Sequence, residues 1–205
     1  MQIINNVAKK KNSGQLIRSA AAFGVKQVFI VGKKKDVSFF GSQGSQRRVD
    51  LKFFNGLSEM KDHCTQQQIT VCGIEIGEGA KSVEMHPFRG PTAFIVGNEG
   101  HGMEPREMDI CDHFVYIPQY GDGTASLNVY VAGSIVFHHF GMWAKYQETP
   151  VTGAKFDVNS EPLVPLGTYT EEDLAKREAR QRKREEKERL EATESNSEEL
   201  VNKGL

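Results

Sequence analysis

Cysteine is scarce in this chain, which has only Cys64, Cys72 and Cys111. Their odd number, wide spacing and lack of a CxxC or of a histidine at ligand spacing argue against a disulfide framework and a zinc site, so no metal is expected. A reducing, cytoplasmic setting suits them. Net charge is also lacking: 26 Lys and Arg face 27 Asp and Glu, for a formal charge of -1. No global field marks a nucleic-acid partner, and any basic surface has to come from local clusters. Long apolar runs are missing too. Only 127–143 approaches one, and Asn128, Ser134, His138 and His139 interrupt it. A buried core helix fits better than a membrane span, and no membrane partner is expected. Acidic residues are absent before Asp36. That matches an organelle transit peptide in composition, but the same residues carry a helix pattern and a motif.

What is present is an alternation of short apolar runs and helix patterns. With 205 residues, 38% of them hydrophobic, the chain can bury one sizeable core. Strands are predicted at 2–7, 27–31, 51–54, 69–74, 92–96 and 113–117. Helices are predicted over 14–23, ended by Gly24, over 57–68, and from Leu127 to Trp143. A polar loop should span 8–13 and a Gly/Ser/Gln-rich stretch 37–50. The alternation argues for an α/β fold, a mostly parallel sheet with helices on both faces. Within 37–50, the pair Phe39-Phe40 is expected in the core, with a base-stacking platform as the alternative.

After Trp143 the composition shifts. The domain should end near 147, with an extended linker over 148–169 around Pro150, Pro162 and Pro165. The tail, 170–205, begins with a capped helix and continues as a charged stretch. Residues 175–191 carry eight basic and five acidic side chains. They read as a solvated helix supported by pairs three or four apart, with an RNA-contacting arm as the alternative.

The chemistry concentrates in 94–143. There, two predicted strands each break into a loop rich in Gly and small polar residues, so the loops can lie side by side and frame a ligand. Gly97-Asn98-Glu99-Gly100-His101-Gly102 fails the GxGxxG register, because Glu99 takes the second glycine position. It also lacks the Lys and Ser/Thr of a phosphate loop. Ordinary nucleotide binding is disfavoured. A sharp loop presenting backbone groups and one carboxylate remains, beside a second loop that ends in Ser126-Leu127-Asn128.

Three motifs resemble those of a known family. Asn12-x-Gly14-x-x-x-Arg18 precedes Ala21-Ala22-Phe23-Gly24-Val25. Gly97-Asn98-Glu99-Gly100-x-Gly102 follows, and then Ile117-Pro118 with Ser126-Leu127-Asn128-Val129. In order and separation, over about residues 2–146, these are similar to the SpoU (TrmH-like) RNA ribose 2'-O-methyltransferases of the SPOUT class. The resemblance implies a deep trefoil knot at the C-terminal end of the α/β domain, S-adenosylmethionine as cofactor, and a homodimer. It assigns the cofactor to Val96, Gly97, Ile117, Ser126 and Leu127, and catalysis to Arg18 with Asn12, Glu99, Ser126 and Asn128. Arg18 is expected to work beside the partner subunit's cofactor pocket. Lys9-Lys10-Lys11 departs from the acidic or Pro-containing turn usual before the asparagine, which leaves that loop's conformation open.

The basic clusters Lys9, Lys10 and Lys11, and Arg47 with Arg48, join Arg18 as candidates for RNA phosphates. The resulting expectation is methylation of a ribose 2'-hydroxyl, with tRNA placed ahead of ribosomal RNA because a compact chain suits a small folded RNA. A catalytically silent RNA-binding or assembly factor is the alternative from another class. Plainer roles exist for several of these residues. Asn12 and Gly14 can mark a helix start, Glu99 can cap a helix near His101, and Ser126 or Asn128 can cap the core helix.

Overall fold

The computed structural model describes residues 1–5, 10–32, 38–98, 100–153, 155–158 and 182, with Lys10 and Lys11 described in backbone only. The elements run β1 (Gln2–Ile4), α1 (Lys10–Ala22), β2 (Gln27–Val31), β3 (Asp50–Phe54), α2 (Leu57–Gln66), β4 (Thr70–Ile74) and β5 (Lys81–Ser82). There follow β6 (Thr92–Val96), α3 (Pro105–Met108), β7 (His113–Tyr116), α4 (Val129–Trp143), and a small hairpin of β8 (Val151–Thr152) and β9 (Lys155–Phe156). The main sheet has seven strands in the order β3-β2-β1-β6-β4-β7-β5. Every pairing in it is parallel. Contacts divide the chain into Met1–Val164, which holds all these elements, and Pro165–Leu205.

The strands build two cores because alternate side chains leave opposite faces of a sheet. Ile4, Val28, Ile30, Cys72, Phe94 and Val96 point to one face, where Leu16, Ile17 and Ala20 of α1 and Val136 and Phe137 of α4 cover them. Ile3, Phe29, Val71 and Ile95 point to the other, under Met60 and Cys64 of α2. Each fully buried Leu, Ile or Val contributes roughly 1.5–3 kcal/mol. The two covering helices of the first face touch closely. A Cβ on Gly133 would lie 2.9 Å from Leu16 Cδ2, and the hydroxyls of Ser134 and Ser19 are hydrogen-bonded at 2.7 Å. The α/β class with helices on both faces therefore holds.

Several boundaries differ from the sequence expectation. The first helix begins at Lys10 and not at Gly14, so Asn12 lies inside it and not in a loop. Lysine is a good helix former, and a first turn needs no apolar pattern to be helical. Gly24 does end the helix, with φ 69°, and Val25 N donates back to Ala20 O at 2.9 Å. The core helix starts at Val129, because Asn128 is its cap and accepts from Tyr130 N at 3.1 Å. The short β5 and α3 and the hairpin inside the expected linker carry no usable periodicity. The first strand ends at Ile4, short of the expected Val7, which lies outside the described residues, as does the tail helix apart from Arg182.

Burial raises all three thiols above their ordinary range, Cys64 to about 11 and Cys111 to about 12. Cys72 sits in the first core and Cys64 in the second, with Cys111 packed against the second. Among the described residues, no helix is long and apolar enough to cross a membrane.

Candidate functional site

Parallel strands end together, so the loops leaving their C-terminal ends gather on one edge of the sheet. The strands β6 and β7 are not neighbours, however, because β4 lies between them. Three loops and the start of α4 therefore enclose a cavity of about 300 Å³. The lining includes Val96 and Gly97 from the β6 loop, Ile117, Ser126 and Leu127 from the β7 loop, and Glu75 and Ile76 from the β4 loop. All five residues expected around the cofactor thus share one cavity. The β4 loop is an addition that the sequence did not reveal.

The loop after β6 is shaped by its glycines. Asn98 and Gly102 exchange backbone hydrogen bonds, each of 2.8 Å, and the Asn98 side chain accepts from Gly100 N at 2.9 Å. This fold-back presses the loop's return strand onto Gly97, where a Cβ would lie 2.6 Å from both Gly102 C and Met103 N. Gly102 takes φ 72°, a conformation that glycine adopts without steric cost. Glu75 braces the loop from the side, its carboxylate accepting from Met103 N at 3.2 Å and from Ile76 N at 3.0 Å. The helix that follows begins at Pro105 and is capped by Glu104, in a reciprocal capping box with Glu107. Glu99 itself falls outside the described residues.

The remaining candidates lie elsewhere. Asn12 is 4% exposed, and among the described residues its Nδ2 has no hydrogen-bond partner. Asn128 caps α4 and does not line the cavity. Arg18 is exposed and lines a separate cavity of about 470 Å³ with Gln15, Phe40, Gln43 and Tyr130. No carboxylate lies within ion-pair distance of Arg18 among the described residues. Arg47 closes a short turn, Ser45–Arg47, and Arg48 follows it, both half-buried. Lys9 is outside the described residues, and Lys10 and Lys11 form the first turn of α1.

The spacing of the first motif now has a structural reason. A Cβ on Gly14 would lie 2.1 Å from the Phe40 carbonyl oxygen, so only glycine lets the segment after β2 rest on α1. Arg18 follows four residues later on the same helix face, which brings it beside that segment. The core expectation for the phenylalanine pair is half corrected: Phe39 packs on the core, whereas Phe40 is 69% exposed. Consecutive residues in an irregular segment need not turn to the same side, and nothing in the sequence indicates which ring turns inward.

The parallel sheet and this loop edge define the fold class, and comparison gives the family. Residues 2–138, well over half of the chain, match the model of the SpoU rRNA Methylase family, and the chain belongs to that family. An uncharacterized tRNA/rRNA methyltransferase of Mycolicibacterium smegmatis is 29% identical over 137 residues, covering 65% of this chain and 43% of that protein. The chain thus spans less than half the length of that curated relative. Among solved structures, the TrmH/SpoU tRNA modifying enzyme of A. aeolicus superposes with TM-score 0.63 at 22% identity, over 71% of this chain and 75% of that one. AviRb of Streptomyces viridochromogenes, a SpoU methyltransferase solved in complex with AdoMet, gives TM-score 0.62 at 22% identity, over 72% and 58%.

Proposed function

We propose that this chain transfers a methyl group from S-adenosylmethionine to a ribose 2'-hydroxyl of RNA, with tRNA the first substrate to test. The observation that carries the reading is the division of charge between the two cavities. The first has the Glu75 carboxylate in its wall and, among the described residues, neither lysine nor arginine. Such a wall opposes a polyphosphate and favours a cation, as a sulfonium is. Its apolar side chains, Ile76, Val96, Ile117 and Leu127 among them, suit a flat purine, and its volume falls at the small end of ligand pockets, roughly 300–1,000 Å³. The second cavity carries Arg18 and no carboxylate among the described residues, so it favours a phosphate.

When bound, S-adenosylmethionine supplies a methyl group already activated on sulfur, and the chemistry asks for no metal. The chain's residues then have to orient the ribose hydroxyl and stabilise its oxygen as the proton leaves. A guanidinium is a donor and a poor base. Arg18 therefore holds an RNA phosphate and stabilises the developing alkoxide. No residue of α1 lines the first cavity among the described residues, which fits a dimer in which Arg18 of one protomer serves the cavity of its partner. The tRNA preference rests on the similarity of the fold to the tRNA modifying enzyme of A. aeolicus.

Incubation with methyl-labelled S-adenosylmethionine and separated tRNA and ribosomal RNA tests the reaction. A 2'-O-methyl group removes the hydroxyl that alkaline cleavage requires, so label should appear in alkali-stable dinucleotides from the tRNA. Label in mononucleotides would mean base methylation. No incorporation into either RNA, with S-adenosylhomocysteine still bound, would favour an assembly factor.

A further inference from the structure

Exposure of one aromatic ring is ordinary on a protein surface. What sets Phe40 apart is how it is held. The segment around it is closed through Ser42, which is buried. The Ser42 backbone N donates to Phe39 O at 3.1 Å, and its hydroxyl lies 2.7 Å from Phe39 O and 2.5 Å from Gln46 Oε1. Gly41 and Gly44 take φ values of 92° and 88°, and Gln43, which has a side chain, takes 48°. A left-handed non-glycine residue is disfavoured and persists where its surroundings impose it. With the backbone of Phe40 pressed onto Gly14, the segment forms a fixed shelf, and its outward ring stands beside Arg18 at the rim of the second cavity.

The chemistry of that cavity is specific. Phe40 and Tyr130 present two aromatic rings, Gln15 and Gln43 two amides, and Arg18 a guanidinium. Each amide is both donor and acceptor, which matches the mixed edge of a nucleobase. An aromatic face stacks any unpaired base, and single-stranded RNA is recognised through such splayed bases. We propose that the second cavity is a nucleobase pocket. It receives an unstacked base of single-stranded RNA on the Phe40 ring, with Gln15 and Gln43 on the base edge and Arg18 on the adjoining phosphate. The proposal rests on the RNA reading above and adds to it the element that selects the nucleotide.

A short single-stranded oligoribonucleotide carrying one 2-aminopurine is the probe, because stacking quenches its fluorescence. Wild-type protein should quench it on binding. Phe40→Ala should lose the quenching and weaken affinity about tenfold, while Phe40→Trp should retain both. Gln43→Ala should change the ranking among oligonucleotides that differ only in the probed base. Equal quenching and affinity in Phe40→Ala would overturn the pocket. Loss of binding accompanied by a fall in sedimentation mass would also overturn it, since the ring would then lie between two copies of the chain. Calorimetry with S-adenosylhomocysteine on the same preparations reports the first cavity alone. Absence of methyl transfer with quenching intact would fault the catalytic reading and leave the pocket standing.

Discussion

Replacing Gly97 with alanine should lower the affinity for S-adenosylhomocysteine by about 10- to 100-fold while the chain still folds. The atoms that a new Cβ would meet, Gly102 C and Met103 N at 2.6 Å, belong to the backbone. No rotamer change removes such a clash. The loop has to open, and its two Asn98–Gly102 hydrogen bonds go with it. Overpacking of this kind costs roughly 1–3 kcal/mol, and here the cost falls on the loop that forms the cavity wall. Gly97 follows β6 directly, so the sheet should survive, with a melting temperature only a few degrees lower. Gly90→Ala is the control. A Cβ there would meet nothing within 4 Å, Gly90 does not line the cavity, and the variant's affinity should stay within about twofold of wild type. Calorimetry on both variants decides the matter, and equal affinities in the two would show that the loop does not hold the ligand.

Arg18→Lys should lower methyl transfer by about 100- to 1,000-fold, the scale on which a single donor to a developing oxyanion acts. Affinity for RNA should fall by only about threefold, because lysine keeps the charge that a phosphate reads and loses the planar fork. S-adenosylhomocysteine should bind as before, since Arg18 does not line the first cavity. Turnover and filter binding on the same preparation separate these effects. Near-normal turnover would remove Arg18 from the chemistry.

How much of this was legible in the sequence follows from the kind of signal each element leaves. The runs 27–31 and 92–96 are continuous, β-rich and bounded by turn residues, and they are strands with the predicted limits. The start of α1 was hidden because its first turn is polar and its motif glycine looks like a breaker. Inside the helix, Gly14 serves a tertiary contact to Phe40 that no local pattern encodes. The cavity residues from β6 and β7 were legible through glycine chemistry and family motifs. Glu75 was not, because its importance depends on β4 lying between β6 and β7, and strand order is a long-range property. The knot and the dimer were expected from resemblance alone, with no periodicity to carry either.

In the proposed dimer the site is completed by two chains, with the cavity on one and Arg18 on the other. Co-expression of Gly97→Ala and Arg18→Lys chains bearing different affinity tags, followed by tandem purification, isolates the mixed dimer. One of its two sites would then pair an intact cavity with an intact Arg18. With S-adenosylmethionine held well below the Kd of the Gly97→Ala cavity, methyl transfer should return to about half the wild-type rate, although each variant alone is then nearly inactive. A mixed dimer no more active than its parents would contradict the account, because cavity and arginine would then have to come from the same chain.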